Sequence, residues 1–193
     1  MTILVTDIRN FTGLNERLPP ELLARILGRL FRVSTESVEK HGGVVDKFIG
    51  DAVMARWMAG EKGEKKPVKS ALLAVLGMWR VVQDLNRDHP ELSNALRIGA
   101  GINSGQAVLG NLGTGGSREY TAIGDSVNVA FRLETASKEL KKDVVIGQAS
   151  CEALPRQFWM KKLQLVSVKG KNEPIKVLAL TFEEVEKLIQ IME

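Results

Sequence analysis

An α+β fold of βαββαβ order is predicted by three features of the sequence. Short apolar runs are rich in β-branched residues, two long stretches carry apolar residues at helical spacing, and a Gly-Asp turn joins two adjacent strand-like runs. Read in order, the front of the chain runs strand, helix, strand, strand, helix, strand, which is the ferredoxin-like arrangement. Additional C-terminal strands and a closing helix are expected after it.

Ile3-Leu4-Val5, running into Thr6-Asp7, reads as a buried first strand. Residues 8–18 read as a polar loop containing Gly13. Pro19-Pro20-Glu21 opens a helix, because proline suits the first turn and an acid favours the N-terminal dipole. Leu22, Leu23, Ile26, Leu27, Leu30 and Phe31 carry it at helical spacing to an end near His41-Gly42-Gly43. Residues 44–49 and 52–57 form a hairpin about Gly50-Asp51. A second helix spans 67–87, with Ala71, Val75, Met78, Val82 and Leu85 on one stripe. Residues 96–102 and 106–111 read as a strand pair about Asn103-Ser104-Gly105, and 112–119 as a mobile glycine-containing loop. A third helix is expected at 125–140, strands at 143–147, 163–168 and 175–181, and an amphipathic helix at 182–192.

With 193 residues, 44% hydrophobic and 26% charged, one globular domain over 1–193 is expected. The lone Cys151 excludes an internal disulfide and any CxxC pair, and fits a reducing, cytoplasmic setting. The net charge of +4 is spread in mixed sign, with basic clusters as short as Lys65-Lys66 and Lys161-Lys162. Without a basic stripe or interleaved aromatics, no nucleic-acid partner is expected. No apolar run approaches the ~18 residues of a membrane span, and no signal-peptide pattern opens the chain. The direct entry into a strand at residues 2–5 reads as a fragment of a longer, regulated protein, which could be membrane-attached through other segments.

Three places carry candidate chemistry. Asp7 ends an apolar strand, where a carboxylate is well placed for a hard cation, though a turn aspartate is the plain alternative. Asp51 sits on the hairpin turn, where aspartates are also common without a ligand. Together the two could hold a two-metal site of the magnesium kind. Asn128 and Arg132 are four apart on a helix and so share a face. An amide and a guanidinium fork there can hold a sugar and stabilise charge on phosphorus, or simply be solvated.

The segments LVTDIRNFT at 4–12, VVDKFIGDAVMARW at 44–57 and EYTAIGDSVNVAFRLE at 119–134 resemble the class III adenylyl and guanylyl cyclase catalytic domain. GAGINSGQAVLGNLG at 99–113 and VKGKNEPIKV at 168–177 are similar too, so the likeness covers roughly residues 1–180. It implies a palm-type cyclase fold. It further implies two divalent ions, Mg²⁺ or Mn²⁺, held by Asp7, Asp51 and the carbonyl of Ile8. The turn Arg9–Thr12 would cradle phosphates, with Phe11 and Thr12 at matching positions, and Lys169 would reach them from the late segment. Lys47 and Thr121 fall at the base-selecting positions: lysine would donate to adenine N1 and threonine would accept from the 6-amino group. This Lys/Thr pair resembles a bacterial adenylyl cyclase subclass. Asn128 would orient the ribose and Arg132 would stabilise the α-phosphate in the transition state.

The resemblance therefore implies ATP as substrate, cyclic AMP as product, and a homodimer with its sites at the subunit interface. A guanylyl cyclase is the nearest alternative, and a catalytically silent nucleotide-sensing or dimerisation module is the alternative of another class. Lysine at 47 would face guanine's N1–H donor, which speaks against the first. The presence of all the matched catalytic residues speaks against the second.

Overall fold

The computed structural model describes residues 1–60, 66–92, 96–113, 119–168 and 173–193. Its strands are β1 (Thr2–Ile8), β2 (Val44–Ile49), β3 (Ala52–Trp57), β4 (Ile98–Ser104), β5 (Val108–Leu112), β6 (Glu119–Ile123), β7 (Val144–Gly147), β8 (Gln164–Val166) and β9 (Ile175–Leu180). Its helices are α1 (Phe11–Arg17), α2 (Pro20–Lys40), α3 (Pro67–Asp88), α4 (Asp125–Glu139), α5 (Gln148–Cys151), α6 (Arg156–Trp159) and α7 (Phe182–Ile191).

The seven-stranded main sheet runs β2-β3-β1-β4-β7-β9-β8. Its first four strands pair antiparallel, joined through α2 and α3 in the βαββαβ order read from the sequence. β7 then adds parallel to β4, and β9 and β8 extend the sheet antiparallel. The α+β class, with extra C-terminal strands and a helix, is thus the observed fold.

Strand alternation sorts β1 between two cores. Leu4 and Ile8 join the large core with Leu22, Ile26 and Leu30 of α2 and Leu72, Val75 and Met78 of α3. Ile3 and Val5 point the other way, packing with Met54 of β3 and with Val127 and Ala130 of α4. Asp7 continues the second set, so the alternation that buries Ile3 and Val5 turns its carboxylate toward the α4 side of the sheet. α4 itself lies close on β4. A Cβ at Gly101 would stand 2.2 Å from the Ala130 carbonyl oxygen and 2.3 Å from the Glu134 amide nitrogen, so only glycine permits this approach.

Two departures from expectation bear on the site. Residues 8–18 are not all loop, because α1 forms within them. Asn10 enters it in the left-handed conformation (φ 54°), which asparagine tolerates better than most residues. Leu14 is buried, with Phe11 and Leu18 packed beside it on the core. This stripe is only two turns long and straddles Gly13, too short to stand out as periodicity.

The expected pairing of 96–102 with 106–111 also does not form. β4 already has β1 on one edge and β7 on the other. β5 therefore has no edge of β4 to join, and pairs instead with β6 in a separate two-stranded sheet. Most of the glycine-containing loop expected at 112–119 lies outside the described residues.

Candidate active site

At the C-terminal end of β1, the Ile8 N–H donates to the Asp51 carboxylate at 3.2 Å. This ties the end of β1 to the β2–β3 turn and brings Asp7 and Asp51 together. The Asp51 carboxyl is pushed up to about 6, first by burial and then by hydrogen bonding to Asp7 and by the charge of Asp7. Two acidic groups crowded in this way are short of positive charge. Lys138 of α4 supplies some of it, 3.3 Å from the Asp7 carboxylate. Among the described residues no three His, Cys, Asp or Glu side chains gather into a metal cluster. Two neighbouring carboxylates nevertheless fit Mg²⁺, which takes few protein carboxylates and fills its other positions with water or phosphate oxygens.

The turn that follows is anchored by Arg9. Its guanidinium lies against Gly99 of β4, where a Cβ would come within 1.7 Å of it. It meets Glu134 at 3.1 Å and donates to the Ser137 hydroxyl and the Lys142 carbonyl. Burial lowers the Arg9 pKa and raises that of Glu134. Leu14 N–H is the first amide of α1 to reach a backbone acceptor, the Asn10 carbonyl at 3.1 Å. The amides of Phe11 and Thr12 precede it and have no intrahelical acceptor. Phe11 is half-buried and Thr12 exposed.

Lys47, Thr121, Asn128 and Arg132 lie elsewhere. Lys47 of β2 pairs with Glu119 of β6 at 2.8 Å, and the Thr121 hydroxyl donates to Asp46. Asn128 is exposed on α4. Arg132 lines a cavity of about 450 Å³ with Phe131, Thr135, Glu139, Ser167 and Val168. One of its guanidinium nitrogens, Nη1, is buried and has no hydrogen-bond partner among the described residues. A larger cavity, about 610 Å³, lies by Asn103, Asp125 and Gly147 and includes none of the candidate site residues named from sequence. Lys169 lies outside the described residues.

A sequence model of the family described as the adenylate and guanylate cyclase catalytic domain matches residues 1–181. The chain belongs to this class III cyclase family. It is 32% identical over 180 residues to the terminal-differentiation-specific adenylate cyclase of Dictyostelium discoideum, covering 92% of this chain and 8% of that one. It is 31% identical over 185 residues to the adenylate cyclase of Anabaena cylindrica, covering 92% of this chain and 36% of the relative. The chain thus spans well under half the length of either. Among solved structures, the guanylyl cyclase Cya2 superposes with a TM-score of 0.77 at 26% identity, covering 92% of this chain and 89% of that one.

In this cyclase domain, several polar residues at the candidate site were not singled out from sequence. Asp46 and Arg56 form a buried pair beside Thr121, with Arg56 Nε to Asp46 Oδ1 at 2.7 Å. Glu119 holds Lys47, Glu134 holds Arg9 of the Asp7 turn, and Lys138 meets Asp7 itself. The one visible cue is that Asp46, Arg56, Glu119 and Glu134 all sit inside the family-like segments. No described helix is long and apolar enough to cross a membrane.

Proposed function

We propose that this domain is an adenylyl cyclase, converting ATP to 3′,5′-cyclic AMP and pyrophosphate at sites shared across a homodimer. One observation carries the reading: α4 offers Arg132 and Glu134 on opposite sides. Two residues apart on an α-helix are about 200° apart around its axis. Glu134 and Lys138 face the turn of Asp7 in their own chain, while Arg132 opens into the cavity by Ser167 and Val168. A single chain therefore presents its carboxylates and its Arg132 to different sides. Two copies in an isologous pair bring each Arg132 to the other's Asp7 and Asp51, giving two equal sites.

Exposed apolar side chains support a second copy as the partner. Phe48 and Ile49 of β2, and Val108, Leu112, Tyr120 and Ile123 of the β5–β6 hairpin, are open to solvent in the single chain. Such a surface fits an interface better than water.

In the assembled site Asp7, Asp51 and the Ile8 carbonyl would hold two divalent ions, Mg²⁺ or Mn²⁺. When bound, such ions acidify the ribose 3′-hydroxyl and offset the charge of the triphosphate. The Phe11 and Thr12 amides receive phosphate oxygens, and Lys169 adds a cation to them. Lys47 donates to adenine N1 and Thr121 accepts from the 6-amino group. Asn128 orients the ribose so that its 3′ oxygen faces the α-phosphorus. Arg132 stabilises the charge that gathers on the α-phosphate oxygens as pyrophosphate leaves. Among the described residues Nη1 of Arg132 has no acceptor, which supports a donor role toward such an oxygen.

Asp7→Ala and Arg132→Ala, each inactive alone, are expected to regain activity on mixing, because a mixed dimer carries one intact site. Product is followed with ATP and with GTP. No recovery after confirmed subunit exchange rules out shared sites. Cyclic GMP as the preferred product makes the domain a guanylyl cyclase. No product from a folded dimer leaves the silent module.

A further inference from the structure

We propose that Asp46, clamped by Arg56, sets the nucleobase preference by fixing which way the Thr121 hydroxyl points. This deepens the adenine reading above and rests on it. A threonine hydroxyl is ambivalent, with one proton to give and lone pairs to receive. Left free, it can greet the 6-amino group of adenine as an acceptor or the 6-carbonyl of guanine as a donor. By itself it discriminates weakly between the two bases.

Three observations remove that freedom. First, β2 is irregular between Val45 and Lys47: Val45 stands opposite Ala55 and Lys47 opposite Met54, leaving Asp46 as the extra residue. Such a bulge re-aims side chains. Strict alternation would send Asp46 and Lys47 to opposite faces, yet here both reach β6, Asp46 at Thr121 and Lys47 at Glu119. Second, the Asp46 side chain is fully buried and paired through Oδ1 with Arg56 Nε at 2.7 Å. Arg56 is held in turn, 5.9 Å from the centre of the Tyr120 ring. Third, the remaining carboxylate oxygen, Oδ2, receives the Thr121 hydroxyl proton.

A carboxylate paired with arginine only accepts. Thr121 is 3% exposed, so water offers its proton no ready alternative. The proton is committed to Asp46, and any base edge that reaches this oxygen meets lone pairs. Those lone pairs suit an amino group and repel a carbonyl oxygen. Selectivity at this position is then written by an acid that need not touch the base, acting as a positioning residue through Thr121.

The test is the ratio of kcat/KM for ATP over GTP. In Asp46→Asn the amide oxygen can stay on Arg56 while the amide NH₂ turns to Thr121. The threonine oxygen then accepts from that amide, and its own proton is released toward the base. The ratio is expected to fall about tenfold, the scale of one mispaired hydrogen bond. Damage to the fold alone lowers both substrates together and leaves the ratio in place. Asp46→Asn made with Arg56→Gln leaves no buried unpaired charge, and carries the same test if the single variant does not fold.

The decisive control is Thr121→Val, in which Asp46→Asn should change the ratio no further. An ATP-preferring wild type whose ratio is unmoved by Asp46→Asn overturns the inference and leaves the adenylyl cyclase reading standing. So does a shift that persists in the Thr121→Val background. A wild type that prefers GTP overturns the adenine reading and the inference with it.

Discussion

On its inner side α4 meets Arg9 and Asp7 through Glu134, Ser137 and Lys138, and each of these polar groups has a partner. On its outer side Arg132 buries a guanidinium nitrogen that has none among the described residues. The two sides are separated by the width of one helix, yet they obey opposite rules. An unmet buried donor costs about 1–3 kcal/mol, so folded chains rarely keep one without a use. The contrast teaches which polar groups the fold itself satisfies and which, among the described residues, it leaves unmet.

Arg132→Ala tests the outer side and carries the largest expected effect. Turnover should drop about 10²–10³-fold, the usual cost of losing one donor to a developing anion. The midpoint of thermal unfolding should hardly move, since Nη1 has no hydrogen-bond partner among the described residues. A large drop in stability would mean that Arg132 belongs to the architecture after all.

Glu134→Ala tests the inner side. It strands the Arg9 guanidinium, whose side chain is only 16% exposed, and should cost about 3 kcal/mol in a urea titration. The pair is costly to form as well as to break, because burial moves both partners toward their neutral forms. Arg9→Met with Glu134→Leu is therefore expected to recover most of the stability lost in Glu134→Ala. Recovery of stability without activity would show that Arg9 also positions the Asp7 turn.

The same raised Glu134 pKa gives a smaller, pH-dependent effect. A carboxyl whose folded pKa lies above its unfolded value stabilises the protein below the unfolded value, and that stability is lost as pH rises through the folded one. Relative to Glu134→Gln, wild-type stability should thus decline as pH rises from about 4.5. Parallel stability curves for the two proteins would contradict the assignment of burial as the leading cause. Lys138→Ala should have the least effect, within about 1 kcal/mol, since its ion pairs are half open to solvent.

Much of this was legible in the sequence because it rests on local patterns. α2 and α3 follow from apolar spacing, β1 from a short apolar run, and β2 and β3 from strand-like runs either side of Gly50-Asp51. Asp7 and Asp51 stood out because each ends a strand or opens a turn. What escaped depends on contacts between distant segments. The seat of Arg9 exists only because Gly99, far along the chain, leaves room for it. The β5–β6 hairpin exists because both edges of β4 are taken, which no window of residues 96–111 reveals. Asp46 was hidden by the bulge in β2, since the pattern of alternation assigns it to the wrong face.

The glycine at 101 has a mechanical consequence. Helix and sheet touch there backbone to backbone, with no side chain between them to compress or rotate. α4 and β4 are therefore expected to move as one body, like a jaw. In a dimer of the proposed kind, little within a chain can shift Arg132 relative to its own sheet. Adjustment is left to the stance of one copy against the other. A regulator of such a pair works as a hand on two levers: it sets the angle between the jaws and leaves the jaws themselves unbent.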